Sequence, residues 1–150
     1  MKIIEKNILD IEAGIIFQQV NCQKKMASGL AKSIRDKWPL VYDTYIDSFQ
    51  KKQDFQMLGE YVFLKVSKDV FVCSVFGQLL YGYDGQRYTD YAALNQAFKT
   101  FKNKYFDYWG CPQIYFPFNF GSFRGGGDWK IISKMIDFYF PDAIICKLAE

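Results

Sequence analysis

Residues 113–129 read Gln113-Ile114-Tyr115-Phe116-Pro117-Phe118-Asn119-Phe120-Gly121-Ser122-Phe123-Arg124-Gly125-Gly126-Gly127-Asp128-Trp129. A strand-like run, Gln113–Phe118, stops at an amide and a glycine. Four of the chain's 11 glycines then fall within seven residues, immediately before a helical pattern over Asp128–Phe140 that Pro141 ends. In open α/β sheets the ligand sits outside the carboxyl ends of the strands, which is where this turn lies. Glycine lets main-chain N–H groups turn toward an anion and lets the anion come close, and a helix N-terminus adds a favourable dipole. The stretch therefore reads as a phosphate cradle. The competing reading is a plain strand-to-helix connection with Asp128 as N-cap. The loop is not a Walker loop, because no Lys-Ser/Thr follows the glycines, and it does not match the G-x-G-x-x-G dinucleotide fingerprint.

Working outward, Lys2–Glu5 and Gly14–Val20 are expected strands, the second turning polar at Gln18-Gln19 and running into Asn21-Cys22-Gln23. A helix is expected from about Ser28, with Leu30, Ile34 and Trp38 on one face. Pro39 ends it or separates it from a second helix over about Val41–Lys51. Glu60–Val66 and Val70–Phe76 are β-rich and joined by a hairpin-length turn. The clearest helix carries Tyr91, Leu94, Phe98, Phe101, Tyr105 and Tyr108, with Asp90 near its start to complement the dipole. Ala143–Lys147 closes the chain as a strand. This alternation predicts one domain, residues 1–150, with a mixed, largely parallel sheet covered on both faces. Met26-Ala27-Ser28-Gly29 opens the first helix much as the glycine loop opens the last, and two such loops suit a diphosphate.

Composition narrows the chemistry. At 150 residues, 50% hydrophobic and 23% charged, the chain can build its own core and is not disordered. It has no histidine, which removes Ser-His-Asp and Cys-His catalysis and His-ligated metals. Cys22, Cys73, Cys111 and Cys146 are widely spaced beside apolar runs, as reduced buried thiols are, so neither a metal nor a cofactor is expected. The net charge of +3 is mild, and the basic doublets Lys24-Lys25 and Lys51-Lys52 give no strong nucleic-acid signal. No run reaches the ~20 apolar residues of a membrane span, and the first residues lack a signal peptide's apolar middle, so a cytoplasmic protein is expected.

Several segments together resemble the macrodomain family, specifically small stand-alone bacterial and phage macrodomains similar to ADP-ribose 1″-phosphate phosphatases. They are Gln19-Val20-Asn21-Cys22-Gln23, Met26-Ala27-Ser28-Gly29-Leu30-Ala31-Lys32, Ile34-Arg35-Asp36-Lys37-Trp38-Pro39, Phe76-Gly77-Gln78, Arg87-Tyr88-Thr89-Asp90-Tyr91-Ala92-Ala93-Leu94 and Gly125-Gly126-Gly127-Asp128-Trp129. The resemblance implies a three-layer α/β/α sandwich that binds ADP-ribose at the strand ends. It implies that Asn21 contacts the distal ribose and helps place a water, as the candidate catalytic residue. Ala27, Ser28, Gly29 and Leu30 match the first ligand loop; Gly121, Ser122, Phe123, Arg124, Gly125 and Gly126 match the second, around the diphosphate. Asn7, followed by Ile8, falls where many members carry an aspartate that accepts from the adenine amine.

The chain departs from the family pattern in places. Phe123 stands where relatives commonly have glycine, and could stack on the ligand or close the cleft. Arg124 could neutralise a phosphate. The lysine and aspartate of members that hydrolyse ADP-ribosyl–glutamate esters would fall near Gly77-Gln78 and Gly125, and neither is present. The expected function is binding of ADP-ribose or a derivative, with hydrolysis of the 1″-phosphate as the reaction. The alternatives are a non-catalytic reader and a hydrolase acting on ADP-ribosylated protein or nucleic acid.

Overall fold

The computed structural model describes residues 1–50, 52–106, 110 and 112–149. Its strands are β1 (Lys2–Glu5), β2 (Gly14–Asn21), β3 (Tyr61–Lys65), β4 (Val70–Gln78), β5 (Ile114–Pro117) and β6 (Ile144–Lys147). Its helices are α1 (Gly29–Lys37), α2 (Pro39–Asp47), α3 (Tyr91–Phe101) and α4 (Trp129–Tyr139). The strands form one sheet in the order β1-β6-β5-β2-β4-β3, parallel throughout except for β3, which pairs antiparallel with β4. The carboxyl ends of five strands therefore share one edge.

Strand side chains alternate between faces, so β2 feeds two cores. Ile15 and Phe17 pack with Leu94, Phe98 and Phe101 of α3 and with Ile132 and Ile136 of α4. Ile16 and Val20 pack with Ile34 of α1 and with Val41 and Tyr45 of α2. Two helix layers thus sandwich the sheet, as the alternation of strands and helices required. Near its end, β4 inserts one extra residue: Val20 pairs with Phe76 but Asn21 pairs with Gln78, leaving Gly77 as a bulge.

Most local expectations stand, with shifts at the ends. The stripe on α1 buries Ile34 completely, with Leu30 and Trp38 partly buried against the same cluster. The second helix begins at Pro39 rather than Val41, because proline suits the first helical turn, where its missing N–H has no helical partner anyway. It ends at Asp47, before a 3-10 turn over Ser48–Gln50, and Lys51 lies outside the described residues. α3 passes into a π-helical turn, Lys102–Phe106, and Tyr108 lies outside the described residues. Cys22, Cys73 and Cys146 are free and buried, while Cys111 lies outside the description. Among the described residues no helix is long and apolar enough to cross a membrane, and no group of three or more Cys, Asp or Glu could hold a metal.

Candidate functional site

A cleft of about 660 Å³ opens along the carboxyl edge of the sheet. It is floored by Gln18–Asn21 of β2 and by Gln78 of β4, and walled by the segments that follow β1, β2, β4, β5 and β6. Lys6, Asn7 and Ile8 lie at one end with Cys146, Lys147 and Leu148. Ser28 to Ala31, Tyr83, Phe123 and Arg124 complete the wall.

The first loop is built on Asn21. Its buried Oδ1 accepts from the N–H of Gln23 (3.0 Å), the N–H of Lys25 (3.4 Å) and the hydroxyl of Tyr45 (3.0 Å), while Nδ2 donates to the Lys25 carbonyl (2.9 Å). The side chain thus shapes the turn over 22–25 and keeps one N–H for a ligand. Beyond that turn, Ser28 is the N-cap of α1 but makes no side-chain cap bond. Tyr83 instead donates its hydroxyl to Ser28 Oγ (3.2 Å). The opening N–H groups of a helix have no internal acceptor, so those of Gly29, Leu30 and Ala31 are left unpaired among the described residues beside the cleft. Gly29 takes φ +60°, and a Cβ there would meet no protein atom within 4 Å, so the backbone conformation is what calls for glycine here.

The second loop differs from its sequence reading in one respect. The start of α4 is closed by its own cap: Asp128 Oδ1 accepts from Lys130 N–H (2.9 Å), and Asp128 N–H donates to the Tyr91 hydroxyl (2.9 Å). Any anion grip here comes from the loop, because the helix end is already spent on a carboxylate. The loop lies over Gln19. This side chain donates from Nε2 to Gln78 Oε1 (2.7 Å) and Thr89 Oγ1 (2.8 Å), and its Oε1 is buried with no hydrogen-bond partner. A Cβ on Gly77 or Gly121 would collide with Gln19, and one on Gly125 with the Thr89 hydroxyl and the Gly121 carbonyl, so these glycines make room for the polar side chains beneath the loop. Above it, the N–H groups of Phe123, Arg124 and Gly125 donate to no acceptor among the described residues.

The electrostatics of the cleft are one-sided. Lys6, Lys25, Arg124 and Lys147 line it, and among the described residues no Asp or Glu does. The Arg124 guanidinium lies 4.7 Å from the Tyr83 ring centre, so Ser28, Tyr83 and Arg124 form a chain of contacts from the first loop to the second. The Ser28 contact, followed by the Arg124 charge, lowers the Tyr83 phenol below its usual range. The ring of Phe123 is 80% exposed and leaves the cleft open. Cys22 is no nucleophile: burial first, then the charge of Asp54, pushes its thiol up to about 11. Burial likewise raises Cys146.

No family model and no curated protein matches the chain. Solved structures do. A protein from Bacteroides thetaiotaomicron superimposes with a TM-score of 0.82 at 18% identity, covering 99% of both chains. The macrodomain of Mycobacterium tuberculosis DarG superimposes with a TM-score of 0.78 at 13% identity, over 99% of this chain and 97% of that one. The chain has the macrodomain fold. Thermosipho africanus DarTG, solved in complex with ADP-ribose, matches 98% of this chain with 41% of its own length, with a TM-score of 0.78 and 16% identity.

On this macrodomain scaffold most of the residues singled out from sequence converge. Asn7, Ile8, Asn21, Ala27, Ser28, Gly29, Leu30, Gly121, Phe123, Arg124 and Gly125 all line the one cleft. Ser122 and Gly126 do not. Ser122 turns its hydroxyl to the Asn119 carbonyl (3.0 Å), and Gly126, at φ +68°, packs on the backbone of Gln86 and Arg87. Asn7 Oδ1 accepts from Leu9 N–H (3.0 Å), capping a 3-10 turn, so part of its acceptor capacity is already used. Sequence reasoning missed the roles of Gln19 and Thr89. The signal for the first was two glutamines interrupting an otherwise apolar strand.

Proposed function

We propose that the cleft binds ADP-ribose or a derivative carrying a terminal phosphate. The observation that carries this reading is the facing pair of loops. Main-chain N–H groups of Gly29 to Ala31 and of Phe123 to Gly125, unpaired among the described residues, border one cavity whose described lining holds lysine and arginine but no carboxylate. Such a wall suits a diphosphate. The Thermosipho protein of the same fold, solved with ADP-ribose, supports the choice of ligand.

Release of a 1″-phosphate would have to rely on positioning and charge stabilisation, with the free N–H of Asn21 on the distal ribose and loop amides taking the developing charge. No carboxylate among the lining residues and no histidine in the chain offers a general base. That favours a second reading, a non-catalytic ADP-ribose reader, over a fast phosphatase. Calorimetric titration with ADP-ribose, run beside phosphate release from ADP-ribose 1″-phosphate, tests both. Saturable binding without turnover selects the reader, steady phosphate release selects the enzyme, and absence of binding to either compound defeats the proposal. Hydrolysis of ADP-ribosylated protein or nucleic acid is read in the same assay with those substrates.

A further inference from the structure

We propose that Thr89 is the positioning residue of the second loop, holding it by two carbonyls so that its N–H groups stay available to an anion. The inference rests on the anion-binding reading above. Thr89 is 2% exposed, does not line the cleft, and pairs with Gln78 in an isolated bridge just past the β4 bulge. Its hydroxyl donates to the Gly121 carbonyl (2.6 Å) and its main-chain N–H to the Gly125 carbonyl (2.9 Å), which also accepts from Tyr88 N–H (2.7 Å). Both ends of the Gly121–Gly125 turn are thereby drawn inward by their oxygens. In a trans peptide the C=O and N–H point opposite ways, so turning the Gly125 carbonyl onto Thr89 turns the Gly126 N–H away from it. Gly127 N–H closes the turn onto the Gly121 carbonyl (3.0 Å), and between these anchored ends the N–H groups of Phe123, Arg124 and Gly125 donate to no acceptor among the described residues.

The same hydroxyl sets the direction of a longer chain. It has one proton, given to Gly121, so toward Gln19 it can only accept. Gln19 must then present Nε2, which also reaches Gln78 Oε1 (2.7 Å), and Gln78 turns its own Nε2 to the Leu80 carbonyl (2.8 Å). One buried proton thus fixes the orientation of the Gln19 and Gln78 amides between Leu80 and the glycine loop.

Thr89→Val removes the hydroxyl at nearly constant volume. It leaves Gly121 O with Gly127 N–H (3.0 Å) and Gln19 Nε2 with Gln78, so neither group is orphaned and the domain should fold. Thr89→Ala removes the same hydroxyl without an added methyl and serves if valine does not fold. ADP-ribose titrations well below the unfolding midpoint should show affinity reduced about tenfold or more in the hydroxyl-less variant and within about threefold of wild type in Thr89→Ser. Unchanged affinity in a folded Thr89→Val or Thr89→Ala overturns the role of Thr89 alone, as does a serine variant no better than valine. A wild-type protein that does not bind ADP-ribose overturns the ligand reading, and this inference with it.

Discussion

Asn21 shapes the first loop before it can offer anything to a ligand. Three donors converge on its Oδ1, and one of them, the Tyr45 hydroxyl, is buried. Asn21→Ala takes this acceptor from the Gln23 and Lys25 N–H groups, while the Tyr45 hydroxyl keeps the main-chain carbonyl of residue 21 (2.7 Å), so urea unfolding should show a stability loss of about 1–3 kcal/mol together with weaker ADP-ribose binding. A variant with unchanged stability would return Asn21 to a purely ligand-facing role. Cys22 makes the opposite point, a thiol beside a candidate site whose burial silences it. Its value rises from 9.0 to about 11, and Cys73 shifts the same way. Below pH 9 these thiols are neutral in both folded and unfolded chains, and the full stability is present. Between about pH 9 and 11 the unfolded chain loses protons that the folded one keeps, so stability falls as pH rises. Thermal melts across that range should show the decline, and Cys22→Ser should flatten part of it.

At the scale of elements, the two loops are built differently although their sequences look alike. α1 starts without a side-chain cap and keeps its first amides open, whereas α4 is capped by Asp128 and the open amides on that side belong to the loop before it. The glycines also divide by task. Gly121 accommodates Gln19, Gly125 the Thr89 hydroxyl and the Gly121 carbonyl, and Gly126 seats the loop on residues 86–87. Gly126→Ala therefore acts away from the cavity: its Cβ strikes the Gln86 carbonyl at a backbone angle that L residues rarely adopt. Circular-dichroism melts should show a loss of about 1–3 kcal/mol. ADP-ribose affinity should fall with it, because the whole loop is displaced. Affinity lost at full stability would instead mean direct obstruction of the anion.

For the molecule as a whole, a mild net charge of +3 conceals a cleft whose charged lining residues, among those described, are all basic. Affinity for ADP-ribose should fall as salt rises from about 50 mM to about 500 mM, since screening shortens the reach of those charges. A salt-independent affinity would place the ligand's charge elsewhere. The succession of strands and helices along the chain and even the caps Asp90 and Asp128 were legible from periodicity and punctuation, because each is decided by residues within a few positions of one another, whereas the order of the strands across the sheet was not. The pairing of Gln19 with Thr89 and of Tyr83 with Ser28 was not, since these partners lie 70 and 55 positions apart. Local pattern was sufficient for an α/β sandwich with glycine turns at its strand ends. Packing across the sheet settled which N–H groups remain unpaired and which side chains meet at the cleft, because a hydrogen bond is allotted among all the donors and acceptors that folding brings within reach.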